Sequence, residues 1–549
     1  MSEEEREGQE KSGAEEQPEA ADGADATNAT NATNATNATD ATNATDAASD
    51  TNSRFQGFYY LGENSLIEKD CAMYGREEMA IGSSVFIRTG AWFNICTEVT
   101  GKRPKIIVGD YCQFNKNVYL SAANRILIER FAMIGPQSFI MDTQHEYRHI
   151  GVPIAYQGIT ETEGETIIGE STWVGANCII SGPVKIGRGS VIGANSVVTR
   201  DIPDYCVAAG MPARVLKMFD THAADWIAVK TKEDVDAVMR RRRERPVLSI
   251  CIPTYNRAAD LNRCLQSIVQ QIGDCSLFEV VVSDNASPDA TQQVLDAFAR
   301  AYPNMNLRYW RNDDNIGAER NIIKLLDDAR GDYVLLHGDD DFFADLTIMP
   351  MLNLIQNNRD CSVYFLNVLG DDGQVHRLKG LETFIETASI HSGFISSIMI
   401  QREAYRQIED KSKFIGSGFN HIYLQLEALR HNPNFAIVNK AMFGYAGNKP
   451  VGYNFGKYFI EGYLSILDHY RDYGLSDEAL LKEKRTMLAT TVLPWYKRIV
   501  EEQLGTDISG FEEIYTAHYK EEPYYEAILA WIRNIQPPAD SGDGNEPAT

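Results

Sequence analysis

No stretch of about 18 or more apolar residues occurs anywhere in the 549-residue sequence, so no membrane-spanning helix is expected. Paired cysteines are missing too. The nine cysteines are scattered, with no Cys-x-x-Cys, which argues for a reduced, cytoplasmic setting over a disulfide framework. Basic residues are scarce: 52 Lys and Arg stand against 77 Asp and Glu, a net charge of −25. Nothing offsets repulsion from phosphate, so nucleic acid is not an expected partner. The opening MSEEEREGQE has neither the basic start nor the apolar stretch of a secretion signal. Residues 1–53 carry 13 acids and 2 bases, and Asn-Ala-Thr recurs from Asn28 to Thr45. That composition lacks the apolar side chains needed to offset ordering entropy, and disorder is expected there and in the polar tail 537–549.

What the sequence does have is a six-residue period. Ile168, Val174, Ile180, Ile186 and Ile192 are evenly spaced, and Gly169, Gly175, Gly187 and Gly193 each follow one of them. A period of six fits neither an α-helix nor a plain strand; it is the pattern of a parallel β-helix. Weaker coils precede it: Ile81 and Ile87, then Val108, Phe114 and Leu120, then Ile128, Ile134 and Ile140. The register breaks between Ile140 and Ile168, which places MDTQHEYRHIGVPI on a surface loop. The repeat domain is set at 54–219 and a helical linker at 220–245. Within that linker the run Arg240–Arg243 reads as a solvated helix face, or as a contact with an anionic membrane surface.

The segment IIGESTWVGANCIISGPVKIGRGSVIGANSVVTRDIPDYCVAAGMPARVL resembles the hexapeptide-repeat acyltransferases, nearest to the sugar O-acetyltransferases. The resemblance implies a left-handed parallel β-helix, a homotrimer, and transfer of acetyl from acetyl-CoA to a sugar hydroxyl or amine. A sugar hydroxyl is a poor nucleophile, and an imidazole can take its proton as it attacks the thioester. His145 lies in the register-breaking loop where the family keeps its catalytic histidine. Asn117 aligns with a family Asn at the acceptor site, although a plain ladder Asn reads equally well. For acetyl-CoA the resemblance implies Trp173, Ala176, Ser181, Ala194, Thr199 and Arg200, with Arg214 toward the phosphates. A zinc site of three histidines is excluded, because only His145 and His149 lie in this domain.

From 246 to about 450, short apolar strands alternate with amphipathic helices, the pattern of a parallel sheet with crossover helices. The helix LNRCLQSIVQQI, for example, puts Leu261, Leu265, Ile268 and Ile272 on one face. Residues 451–536 read as helical. ICIPTYNRAADLNRCLQSI, VVVSDNASPDAT, NDDNIGAERN and YVLLHGDDD occur in the order found in inverting family 2 glycosyltransferases, and the chain resembles their abequosyltransferase-type members. The fold class is therefore multidomain: a left-handed β-helix, then an α/β GT-A (Rossmann-like) domain with a helical C-terminal region.

Each of the four motifs follows a strand, where ligands of open α/β sheets bind. Thr254 and Tyr255 are expected to line the nucleotide base, and Asp284 to accept from an imide N–H. A diphosphate leaving group calls for a hard cation, Mg2+ or Mn2+, held by oxygen. The resemblance implies Asp341 as its ligand, with Asp339 the second candidate, and Asp340 at the ribose. Arg320 and Asn321 are expected to face phosphate near a helix start. An inverting transfer also needs a base. Where the family places a Glu-Asp pair this chain has Asn420 and His421, a departure that makes His421 the candidate. Together these readings give a bifunctional enzyme of surface-polysaccharide synthesis. It would use a nucleotide-sugar donor and a lipid-linked glycan acceptor at the cytoplasmic face of the membrane. The alternative keeps the glycosyltransferase and treats the β-helix as a silent trimerising scaffold.

Overall fold

The computed structural model describes residues 56–96, 103–160, 164–366, 370, 372–445 and 452–535; both tails expected to be disordered lie outside them. Three flat parallel sheets wrap the first region into a prism. One runs from Tyr60–Leu61 to Lys185–Ile186, a second starts at Leu66–Ile67, and a third runs from Ala72–Tyr74 to Val197–Val198. The six-residue period is one step from sheet to sheet. Ile168 pairs with Ile186 in the first, Val174 with Ile192 in the second, and Ile180 with Val198 in the third. All six side chains point inward and are fully buried. Each contributes about 1.5–3 kcal/mol of transfer free energy, so the period itself fixes the coil.

The expected linker is shorter than its sequence suggested. Its helix spans only Lys232–Glu244, capped by Thr231 Oγ1, which accepts from Asp234 N–H at 3.1 Å. The residues before it remain in the second sheet, where Asp225–Ala228 pairs antiparallel with Ala213–Asp220. Across that pair the rings of Phe219 and Trp226 meet edge-on at 6.2 Å, a contact that favours strand over helix. The arginine run is likewise not one solvated or membrane-facing face. Arg241 Nε donates to Asp220 at 2.7 Å. The fully buried Arg242 donates to the carbonyls of Phe219 and Asp204 at 2.8 Å and of Tyr205 at 3.1 Å. Arg242 thus rivets the helix to the last coil.

The second region is built on an eight-stranded mixed sheet. Its order is Leu307–Arg311, Phe278–Asp284, Leu248–Thr254, Tyr333–Leu336, Ile398–Gln401, Val363–Leu366, Asn434–Val438 and Val375–Lys379. The first four strands are parallel, as alternation with helices requires; beyond Leu336 the pairings are antiparallel except for Val363–Leu366 with Asn434–Val438, which is parallel. Strand order reverses between Leu248–Thr254 and Tyr333–Leu336, which opens a crevice at their carboxyl ends. The C-terminal helices, from Tyr463–Tyr470 to Tyr525–Asn534, are not an independent layer. Tyr463, Tyr515 and Ile532 share one apolar cluster with Cys251 and Val281 of the central strands. The β-helix docks on this unit through Arg130 to Asp345 at 2.7 Å and Lys185 to Asp274 at 2.6 Å. No helix among the described residues is long and apolar enough to cross a membrane. All nine cysteines are free.

Candidate active sites

The loop that interrupts the β-helix is an ordered excursion. Gln144 O accepts from Thr160 N–H at 2.9 Å and Gly158 O from Glu146 N–H at 3.1 Å, and His145 bridges to Ile159 between them. The buried Glu146 carboxylate gathers the backbone N–H groups of Tyr147 and Arg148, each at 2.8 Å, and the Arg148 guanidinium. Those hydrogen bonds hold it down at about 2, far below the usual carboxylate range. His145 is therefore held on a stapled loop with its side chain in solvent. Around it the loop presents Ile150, wholly exposed, and Tyr156, 82% exposed.

Asn117 sits at a corner of the coil, not in a cavity. Its φ of +56° puts it in the left-handed region, as do Gln137, Asn177 and Asn195 in the same column of corners. Gly90, one coil earlier, has a φ of +78°, which favours glycine, and a Cβ there would stand 2.0 Å from Asn117 Oδ1, so that side chain would have to shift. The cofactor candidates separate into groups. Ala176 and Ala194 are stacked at one corner, where Ala176 O accepts from Asn195 N–H at 2.9 Å. Ser181 lies beside Met141 on the third sheet, in the column where Thr199 and then Arg200 leave that sheet. Trp173 stands 51% exposed on the second sheet, between Met133 and Val191. Arg214 lies on that sheet's strand Ala213–Asp220, exposed, its Nη1 donating to Ala213 O. Within one chain these residues occupy two faces and two corners of the same coils.

The acids of the second site follow the strand Tyr333–Leu336: Asp339 and Asp340 lie just past its end, and Asp341 opens the short strand Asp341–Phe343. Thr254 Oγ1 donates to Asp339 at 2.7 Å, and Arg257 Nη1 reaches Asp339 at 3.1 Å and Asp340 at 2.7 Å. Ser396 donates to Asp341 Oδ2 while its oxygen accepts from Gly338 N–H at 2.9 Å. Burial pushes Asp339 and Asp341 up to about 6, in spite of Arg257, Thr254 and Ser396. Behind them His337 is fully buried and stacked on Phe343 at 4.3 Å, and burial lowers it to about 3. It is a neutral wall of the site.

The Thr254 hydroxyl is given to the acid cluster, and the exposed Tyr255 remains available to a planar ligand. Asp339 has one oxygen held by Thr254 and the other by Arg257. Asp341 Oδ1 is different: it is buried and has no hydrogen-bond partner. A hard cation would find an unengaged carboxylate oxygen here in Asp341 Oδ1. No group of three His, Cys, Asp or Glu arranged to hold a metal occurs among the described residues. Asp284 offers a second orphaned oxygen. Its Oδ1 accepts from Ser287 N–H at 2.9 Å, while Oδ2 has no hydrogen-bond partner and lies 3.6 Å from Arg311.

Asn321 does not face a phosphate. It is buried, donates to Ser283 O at 3.1 Å and accepts from Ser283 Oγ and Asn312 Nδ2. Arg320 is exposed and borders a hollow with Lys324, Asp327 and Ser412. His421 opens the helix Asn420–His431 but is buried, its Nε2–H given to Gly393 O at 2.8 Å; burial lowers its pKa. Asn420 is a structural residue, donating to Lys411 O at 2.9 Å and accepting from Phe414 N–H at 3.2 Å. Two functional groups went unread in the sequence. Arg257 directly follows the Thr254–Asn256 stretch and could have been found as the nearest cation. Ser396 lies far along the chain from the acids and leaves no local signal.

Comparison with known proteins agrees with this division. Residues 249–425 match the glycosyl transferase family 2 model, and residues 165–200 match the bacterial transferase hexapeptide (six repeats) model. The chain thus joins a hexapeptide-repeat acyltransferase region to a family 2 glycosyltransferase domain. It is 26% identical over 202 residues to abequosyltransferase RfbV of Salmonella typhimurium, covering 33% of this chain and 60% of that protein. It is 32% identical over 130 residues to the putative lipopolysaccharide biosynthesis O-acetyl transferase WbbJ of Escherichia coli K12, covering 23% of this chain and 66% of that protein. Among solved structures, S. aureus TarS 1-349 in complex with UDP aligns at a TM-score of 0.38 and 18% identity, over 52% of this chain and 86% of that one. The two domains are related to enzymes of lipopolysaccharide biosynthesis.

Proposed function

We propose that the chain is a bifunctional transferase of surface-polysaccharide synthesis. The α/β unit transfers a sugar from a nucleotide sugar, with inversion, to a lipid-linked glycan, and the β-helix moves acetyl from acetyl-CoA to a sugar. The observation that carries the first activity is the Thr254–Arg257–Asp339–Asp340–Asp341 cluster at the strand-order switch. Asp341 Oδ1 would hold Mg2+ or Mn2+, with diphosphate and water completing the shell, and the cation would neutralise the leaving group. Asp340, held by Arg257, faces the ribose, and Asp284 Oδ2 accepts from the nucleobase. In the β-helix, His145 takes the proton of the sugar hydroxyl or amine. Trp173, Ala176, Ser181, Ala194, Thr199, Arg200 and Arg214 are scattered over one chain. They become one acetyl-CoA groove when a second copy lies alongside, which supports a homotrimer. Both donors are cytoplasmic metabolites, so the reactions are placed there, on an acceptor at the inner membrane face.

Mass spectrometry after incubation with acetyl-CoA and a panel of nucleotide sugars tests this reading. A gain of one acetyl on a nucleotide sugar, or on a glycan product, is expected. If sugar is transferred but acetyl never is, the β-helix is a scaffold.

A further inference from the structure

Ser396 lies 55 residues along the chain from Asp341, yet the fold fixes one against the other. The strand Ile398–Gln401 pairs antiparallel with Tyr333–Leu336, and Ile398 stands opposite Leu336. The turn Ile395–Ser397 therefore meets the turn Gly338–Asp341, which Asp341 N–H closes on Gly338 O at 3.4 Å. Ser396 is fully buried there. Its Oγ accepts from Gly338 N–H at 2.9 Å and donates to Asp341 Oδ2. An ionised carboxylate only accepts and a hydroxyl carries one hydrogen, so the Ser396 proton is committed to Asp341. The turn is close enough that a Cβ on Gly338 would stand 3.1 Å from Asp340 Oδ1 and 3.2 Å from Asp341 Oδ2, crowding both acids.

The three acids are held in different ways. Asp339 has Thr254 on one oxygen and Arg257 on the other, and Asp340 has Arg257 on Oδ2. Asp341 is tied by a single oxygen. Its other oxygen, Oδ1, is buried with no hydrogen-bond partner, an arrangement that calls for a ligand to complete it. The Ser396 hydroxyl sets the plane of this carboxylate: whichever oxygen it holds, the other is turned away from Ser396 and left open. Removing such an outer hydrogen bond from a metal-binding carboxylate costs about 10–100-fold in metal affinity.

We propose that Ser396 is a positioning residue for the divalent cation of sugar transfer, holding the Asp341 carboxylate by one oxygen so that the other is presented to the ion. The inference rests on the reading of this unit as a cation-assisted glycosyltransferase. Ser396 acts only through Asp341.

The test compares the full-length wild type with Ser396→Ala and with Ser396→Cys, which nearly keeps the side-chain volume but donates weakly. Mn2+ binding is read by electron paramagnetic resonance with and without UDP, dTDP, CDP or GDP. Sugar transfer from the corresponding nucleotide sugars to octyl hexosides is measured against Mn2+ concentration. Ser396→Ala should weaken Mn2+ binding by about 10–100-fold, with Ser396→Cys shifted in the same direction. The Mn2+ concentration for half-maximal transfer should rise by about the same factor, while kcat at saturating Mn2+ stays within about threefold of wild type. The proposal is overturned if both variants bind Mn2+ as tightly as wild type, or if saturating Mn2+ leaves kcat low. It falls also if neither variant folds, which would make Ser396 a structural residue. A wild type that transfers sugar at full rate in EDTA overturns the proposal and leaves the sugar-transfer reading standing. One that transfers no sugar from any donor overturns that reading, and the proposal with it.

Discussion

His145 stands in solvent on a loop, whereas Asp339 and Asp341 are 5% and 3% exposed just beyond the central strand Tyr333–Leu336. The β-helix gives its interior mostly to apolar packing, with a few buried hydroxyls such as Ser138, Thr166 and Ser190, and its candidates His145, Trp173 and Arg214 point outward. A solenoid has no crevice of its own, so its chemistry must be completed from outside. The α/β sheet, by contrast, has a built-in crevice where strand order reverses, and charge is folded into it. There the acids are raised by burial and restrained by Arg257, Thr254 and Ser396. In one region the candidate groups stay dispersed over a single chain; in the other the acid cluster is already assembled.

That contrast breaks most sharply at Asp341. Asp341→Asn should reduce sugar transfer about 10³-fold or more while acetyl transfer stays within about twofold, read by product mass spectrometry on one preparation. His145→Ala should do the reverse, lowering acetyl transfer about 10²–10³-fold with sugar transfer untouched. If either variant silences both reactions, the two sites are coupled and the comparison fails. The seam between the regions gives the next effect. Arg242→Met removes a buried donor shared by three carbonyls, of which Tyr205 O keeps Phe219 N–H, and should cost about 2–4 kcal/mol in urea unfolding.

The smallest effect is pH-dependent. Glu483 is buried behind the second site, accepting from Ser389 Oγ at 2.5 Å and Tyr463 Oη at 2.9 Å, and burial pushes it up to about 7. A folded pKa above the unfolded one means the native state holds the extra proton. Stability therefore falls as pH climbs from the ordinary carboxylate range through about 7, and the penalty is complete above it. Glu483→Gln should raise Tm at pH 8, removing a penalty of about 2–3 kcal/mol, and change it little near pH 4.5. An equal gain at both values would show that packing, not charge, sets the effect.

Particular residues show what could be read in advance. Ile168 to Ile192 gave the coil because in a solenoid the burial pattern is local: each inward position recurs at fixed spacing. The strand ending in three acids was likewise local. The partners of Thr254 and Asn321, Asp339 and Ser283, were not legible because only strand pairing and helix packing bring them close. The arginine run was misread because Arg242 finds its acceptors on a hairpin that helix propensity had hidden.

The sequence by itself determined the two folds, their order and the chemical kind of each candidate group, since periodicity and motif spacing act over a few residues. Only the tertiary structure decided which acids are buried, which oxygen of Asp341 is left free, and that Ser396 holds the other. Those facts depend on contacts between segments far apart in the chain, and local pattern carries no record of them.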